Sequence, residues 1–100
     1  MVKLTILFHR PPDPDGFEAR YNQNLALLEQ LPGIRRRQAC LIFGSPAGQS
    51  PYYRLLELYF DDRAALDAAL LSPEGSRAGA DLVAFVGRRA DLFFSEVYEA

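Results

Sequence analysis

The stretch from Ser50 to Gly75 limits what this chain can fold into more than any other. Its first part, Tyr52 to Phe60, crowds tyrosine, leucine and phenylalanine into one short run, which reads as a strand. Asp61-Asp62 follows, ahead of an Ala/Leu-rich segment. An aspartate there caps a helix, because its carboxylate accepts from backbone N–H groups that have no partner inside the helix. Ser72-Pro73-Glu74 then writes a second helix start, with Ser as cap and Pro at the first helical position. A strand that runs into two abutting helices predicts an α+β layering, in which the helices fold back over the strand.

The rest of the chain supplies partners for that unit. Val2, Leu4, Ile6 and Phe8 alternate with Lys3, Thr5, Leu7 and His9, a period of two that marks a strand. Arg10 to Gly16 is rich in proline and aspartate and breaks it. Asp13-Pro14 fits a helix cap and first position, and the helix runs to about Leu31 before Pro32-Gly33 stops it. A second strand is expected from Ile34 to Phe43, ahead of the loop Gly44–Pro51. The last helix reaches about Val86, where Gly87 fits a stop. A fourth strand covers about Asp91 to Tyr98. The order β-α-β-β-α-β, with its second helical region split in two, is the ferredoxin-like pattern on a four-stranded antiparallel sheet. Residues 1–100 form one domain.

Strand faces carry a second message. Alternation puts Tyr52, Leu56, Leu58 and Phe60 on one side of the third strand, and Tyr53, Leu55, Glu57 and Tyr59 on the other. The fourth strand sets Leu92 and Phe94 against Phe93 and Val97. In this fold helices cover only one side of the sheet, so apolar residues on both sides require a second covering. The expected covering is another copy of the chain, giving a homodimer through the sheet face opposite the helices.

Composition excludes several classes. A net charge of -2 does not suit a nucleic-acid surface. No apolar run approaches the roughly 20 residues that span a bilayer, and no signal peptide opens the chain. A single cysteine, Cys40, cannot close an internal disulfide, which fits the cytoplasm. With one histidine, one cysteine and no C-x-x-C or H-E-x-x-H, no metal site is expected. No G-x-G-x-x-G, phosphate loop or G-x-S-x-G elbow occurs, so no cofactor is expected either.

Leu31-Pro32-Gly33, the Ser50–Gly75 stretch and the closing Glu96-Val97-Tyr98-Glu99 together resemble the EthD family, over nearly the whole chain. That resemblance implies a ferredoxin-like fold, dimers built as an α+β barrel, and a link to the oxidative breakdown of small organic compounds such as ethers. Relatives of the barrel class include cofactor-free monooxygenases and polyketide cyclases. Many members carry Tyr-x-x-His on the first helix, usually continuing His-x-Pro-Leu. Here that stretch reads Tyr21-Asn22-Gln23-Asn24-Leu25-Ala26-Leu27. Asparagine stands where those members have histidine. It orients by hydrogen bonds but does not titrate.

Candidate site residues follow from the residues themselves. At about 100° per residue, Tyr21, Leu25, Leu28 and Leu31 share a stripe with Phe17, and Asn24 falls inside it. A buried amide needs partners, so Asn24 either bonds to backbone or faces a pocket between helix and sheet with Tyr21 beside it. These two are the expected ligand-binding residues. His9, the only histidine, and Glu57, inside an apolar strand, are the candidates for acid/base work, with Lys3 or His9 as a partner for Glu57. Plain packing, ion pairing and solvation are the competing readings for each. Cys40 reads as a packed side chain, and Arg35–Arg37 as a solvated strand end. Three functions compete: a protein that binds a small apolar or aromatic molecule, a cofactor-independent enzyme, and a structural dimerisation module.

Overall fold

The computed structural model describes residues 1–99. Seven elements run in the order β1 (Val2–His9), α1 (Pro14–Leu28), β2 (Arg36–Leu41), β3 (Tyr52–Phe60), α2 (Arg63–Leu71), α3 (Pro73–Val86) and β4 (Ala90–Glu96). The strands form one antiparallel sheet in the order β2-β3-β1-β4. This is the expected ferredoxin-like arrangement, with all three helices on one side.

Register explains the core. Val2 lies opposite Phe60, Leu4 opposite Leu58 and Ile6 opposite Leu56. All six are buried, together with Phe8. The helices lay Tyr21 and Leu28 of α1, Leu66 of α2, and Ala78 and Leu82 of α3 onto them. Each large apolar side chain removed from water contributes roughly 1.5–3 kcal/mol. The edge strands are shorter than expected. β2 loses Ile34, Arg35, Ile42 and Phe43, and β4 stops before Val97 and Tyr98, because pairing with the central strands ends there. Likewise α1 ends at Leu28, yet Leu31 beyond it remains in the core.

One strand departs from simple alternation. The β1–β3 register shifts between Phe8 and His9, so His9 lies opposite Tyr52 rather than Tyr53. The extra residue turns the start of β3 over. Tyr52 joins His9 on the open side, where their rings meet edge-on at 5.8 Å. Tyr53 swings to the helix side, meeting Phe17 at 5.4 Å. The expected faces of these two tyrosines are therefore exchanged.

The α2–α3 junction uses one residue twice. Ser72 Oγ donates to Ala69 O (2.5 Å), closing α2, and accepts from Gly75 N (3.0 Å), opening α3. A Cβ at Gly75 would overlap the carbonyl oxygens of Ala69 and Leu70, so only glycine lets the two backbones meet there. Asp62 caps α2 by accepting from Ala65 N at 2.8 Å. Asp13 sits at the start of α1 but makes no side-chain cap.

Candidate functional site

The stripe on α1 is buried as its phase requires. Asn24 has 0% exposure. It faces α3 across the helix seam, not the sheet: its amide nitrogen donates to Ala78 O (3.3 Å) and Asp81 Oδ2 (2.9 Å). Arg20, one turn earlier, forks onto Asp81 at 2.7 and 2.9 Å. Hydrogen bonds from Arg20 and then Asn24 hold the Asp81 carboxyl below its ordinary range. Asn24 Oδ1 is buried and has no partner among the described residues.

Tyr21 faces the sheet. Its ring meets Phe8 edge-on at 5.3 Å and stacks on Phe17 at 5.8 Å, with the Arg54 guanidinium 4.8 Å away on its face. Burial pushes the phenol up, and its Oη also lacks a protein partner. Beside it, Arg54 and Tyr53 both donate to Glu18. Burial alone would raise Glu18, but these donors outweigh it and the carboxyl lies below its ordinary value.

Glu57 lies on the open face and pairs with Lys3 across the β1–β3 ladder. The hydrogen bond to Glu57 holds Lys3 above its ordinary value. Next to them Tyr59 Oη donates to Gln38 (2.9 Å), and Arg36 lies over the Tyr59 ring. The arginine run divides three ways: Arg35 pairs with Asp61, Arg37 with Glu29, and Arg36 covers Tyr59. Cys40 is exposed on the edge strand, not packed inside.

His9 has a partner that sequence reasoning missed. Its Nε2 lies 3.0 Å from Asp91 Oδ2, with the side chains 36% and 53% exposed. The signal was available: β4 pairs antiparallel with β1, which brings Asp91 opposite Leu7 and diagonal to His9. His9 also lines a cleft of about 320 Å³ between the Pro11-Pro12 loop, the start of α1 and the end of α3. Phe17, Phe85 and Val86 form its apolar wall, and Arg20 and Arg89 its cationic one. Arg20 is doubly fixed, since its guanidinium lies 5.1 Å over the Phe85 ring as well as on Asp81. Tyr21 is one layer behind Phe17, and Asn24 one layer behind Arg20. The structure thus brings His9, Tyr21 and Asn24 around one region and leaves Glu57 on the opposite side of the sheet from Tyr21 and Asn24.

A four-stranded antiparallel sheet covered on one side by helices, with a small cleft at the end of the helix layer, defines a ferredoxin-like α+β protein. The chain belongs to the EthD family: an ethyl tert-butyl ether D (EthD) family protein of Bacillus halodurans is 35% identical, with a TM-score of 0.94 over 98% of this chain and 99% of that one. An uncharacterised 11.0 kDa protein from the thcB–thcC intergenic region of Rhodococcus erythropolis is 30% identical over 97 residues, 96% of this chain and 94% of the relative. A dimeric ferredoxin-like protein of unknown function from Jannaschia sp. shares the fold at 24% identity and TM-score 0.75, over 97% and 100% of the two chains. So does SnoaB, a cofactor-independent oxygenase of Streptomyces nogalater, at 16% identity and TM-score 0.70, over 99% and 94%. No protein-family model matches the chain. None of the described helices is long and apolar enough to cross a membrane.

Proposed function

We propose that this chain is one protomer of a homodimer whose sheets face each other as an α+β barrel, and that it binds a small, largely apolar or aromatic molecule. The observation that carries this reading is the open side of the sheet. Cys40, Leu55 and Leu7 lie side by side across β2, β3 and β1, and Phe93 of β4 stands beside Thr5, 46% exposed. No helix covers this row, and a second copy presenting the same row is its natural partner. The dimeric Jannaschia protein of the same fold supports the assembly.

The cleft beside Phe17 and Phe85 supports the ligand. Its size suits a single aromatic ring or a short aliphatic chain. Tyr21 and Asn24 supply its inner polar groups, since Tyr21 Oη and Asn24 Oδ1 are buried with acceptor capacity unused. Family membership supports a place in the oxidative breakdown of small organic compounds, and the unpaired Cys40 fits the cytoplasm. A second reading, a cofactor-independent enzyme of the monooxygenase or cyclase kind, is favoured by the His9–Asp91 pair and by the fold shared with SnoaB.

Native mass spectrometry of freshly purified protein tests both parts, reporting subunit number and any retained small molecule. A dimer that Leu55→Asp converts to monomer is the expected result. Monomer for the unmutated protein at micromolar concentration would remove the barrel.

A further inference from the structure

The His9–Asp91 pair stands where the bulge in β1–β3 re-aims a side chain, a placement common beside functional sites. An imidazole whose Nε2–H donates to a carboxylate keeps its other nitrogen, Nδ1, as an acceptor. Nδ1 has no hydrogen-bond partner among the described residues. The same ring lines the cleft whose apolar wall is Phe17 and Phe85. Arg89, on the same wall, makes no side-chain hydrogen bond or ion pair among the described residues, while Arg20 is committed to Asp81. Base, carboxylate, aromatic wall and uncommitted cation therefore meet at one cleft.

From this geometry we infer that the cleft takes a small aromatic molecule bearing an acidic O–H, a phenol or an enol, and that His9 accepts its proton. This inference rests on the small-molecule reading above and names its ligand class. In the step, the ligand O–H bond breaks and an N–H bond forms at His9 Nδ1. The electron pair stays on the ligand oxygen, leaving an imidazolium and a phenolate or enolate. Asp91 stabilises the imidazolium through Nε2–H and acts as a positioning residue. Arg89 faces the developing oxyanion. The other charged or titratable groups around the ring are Tyr52 from β3 and Asp13 from the loop before α1. Tyr52 gives an edge-on apolar contact, and Asp13 is the one acidic group lining the cleft.

Para-nitrophenol is a direct probe, because its phenolate absorbs visible light and its phenol does not. Para-nitroanisole is its non-ionising counterpart. On the purified full-length protein, para-nitrophenol is expected to bind about tenfold tighter than para-nitroanisole, the worth of one charge-assisted hydrogen bond, and to gain phenolate absorbance on binding. His9→Gln should abolish both the preference and the gain. Asp91→Asn should keep binding but shift the pH at which bound probe ionises upward, which a merely structural Asp91 would not do. Phe85→Ala should weaken both probes alike. Circular dichroism melts establish that each variant is folded. Equal binding of the two probes, a preference that survives His9→Gln, or indifference to Phe85→Ala overturns the proton-accepting site while leaving a small-molecule binder in place. If neither probe binds at millimolar concentration, the small-aromatic reading falls and takes this inference with it.

Discussion

The two faces of this sheet are built from the same strands and do different work. On the helix side, residues opposite one another across β1 and β3 are uniformly apolar and buried: Val2 with Phe60, Leu4 with Leu58, Ile6 with Leu56. On the open side each successive row changes character. Leu7 faces Leu55, Thr5 faces Glu57, and Lys3 faces Tyr59. The lower rows satisfy their polar groups within the protomer, through Lys3–Glu57 and Tyr59–Gln38. The upper row remains apolar and ends in the His9–Asp91 pair. One face thus builds the fold, and the other divides into a self-sufficient polar half and a half that seeks a partner.

The sharpest way to break this contrast is to shorten one side chain on each face. Leu58→Ala leaves a cavity in the middle of the covered layer and is expected to cost about 2–5 kcal/mol in a urea or thermal melt. Asn24→Leu comes next. It keeps the volume but removes the donors to Ala78 and Asp81, and the stranded acceptors predict a loss of about 1–3 kcal/mol by the same melt. Leu55→Asp, on the open face, should cost the protomer only about 1 kcal/mol, the span of strand preferences, yet it is the substitution that separates subunits in light scattering. A loss with Leu55→Asp as large as with Leu58→Ala would mean the open face is core, and the contrast would be gone.

The smallest effect is on acid stability. Glu18 and Asp81 both titrate below their ordinary values when folded, held there by Arg54 with Tyr53 and by Arg20 with Asn24 respectively. Unfolded carboxyls titrate near about 4. The stability these two contribute is therefore complete above that value and disappears as pH falls through their lowered folded values. Asp81→Asn should flatten the acid limb of the stability curve and leave neutral stability less affected, because an amide oxygen still accepts from Arg20. A limb unchanged by Asp81→Asn would assign acid sensitivity elsewhere.

Most of the fold was legible because its signals are local. Alternation in Val2–His9, the Asp62 and Ser72 caps and the Gly87 stop each specify a few neighbouring residues, and each element forms where they place it. The burial of Tyr21 and Asn24 was legible from helical phase alone. What the phase did not reveal was the neighbour: Asn24 faces α3, since α1 must contact both sheet and helix and one stripe serves both. Tyr52 and Tyr53 were read on the wrong faces because a bulge depends on pairing with another strand, which a single strand's pattern does not record. The Asp91 partner of His9 was hidden for the same reason, being 82 residues away in sequence.

The shared Ser72 cap has a consequence for how fast anything can enter the cleft. With Ser72 closing α2 and opening α3, and Gly75 lying against the α2 carbonyls, no slack chain exists between the two helices. The α3 end that carries Phe85 and Val86 cannot swing as a lid, and the facing loop is stiffened by Pro11, Pro12 and Pro14. The cleft is preformed on both sides. Association should then show a single phase whose rate rises linearly with probe concentration, without the plateau that a gated site imposes, and differences in affinity between ligands should appear as differences in how long each one stays.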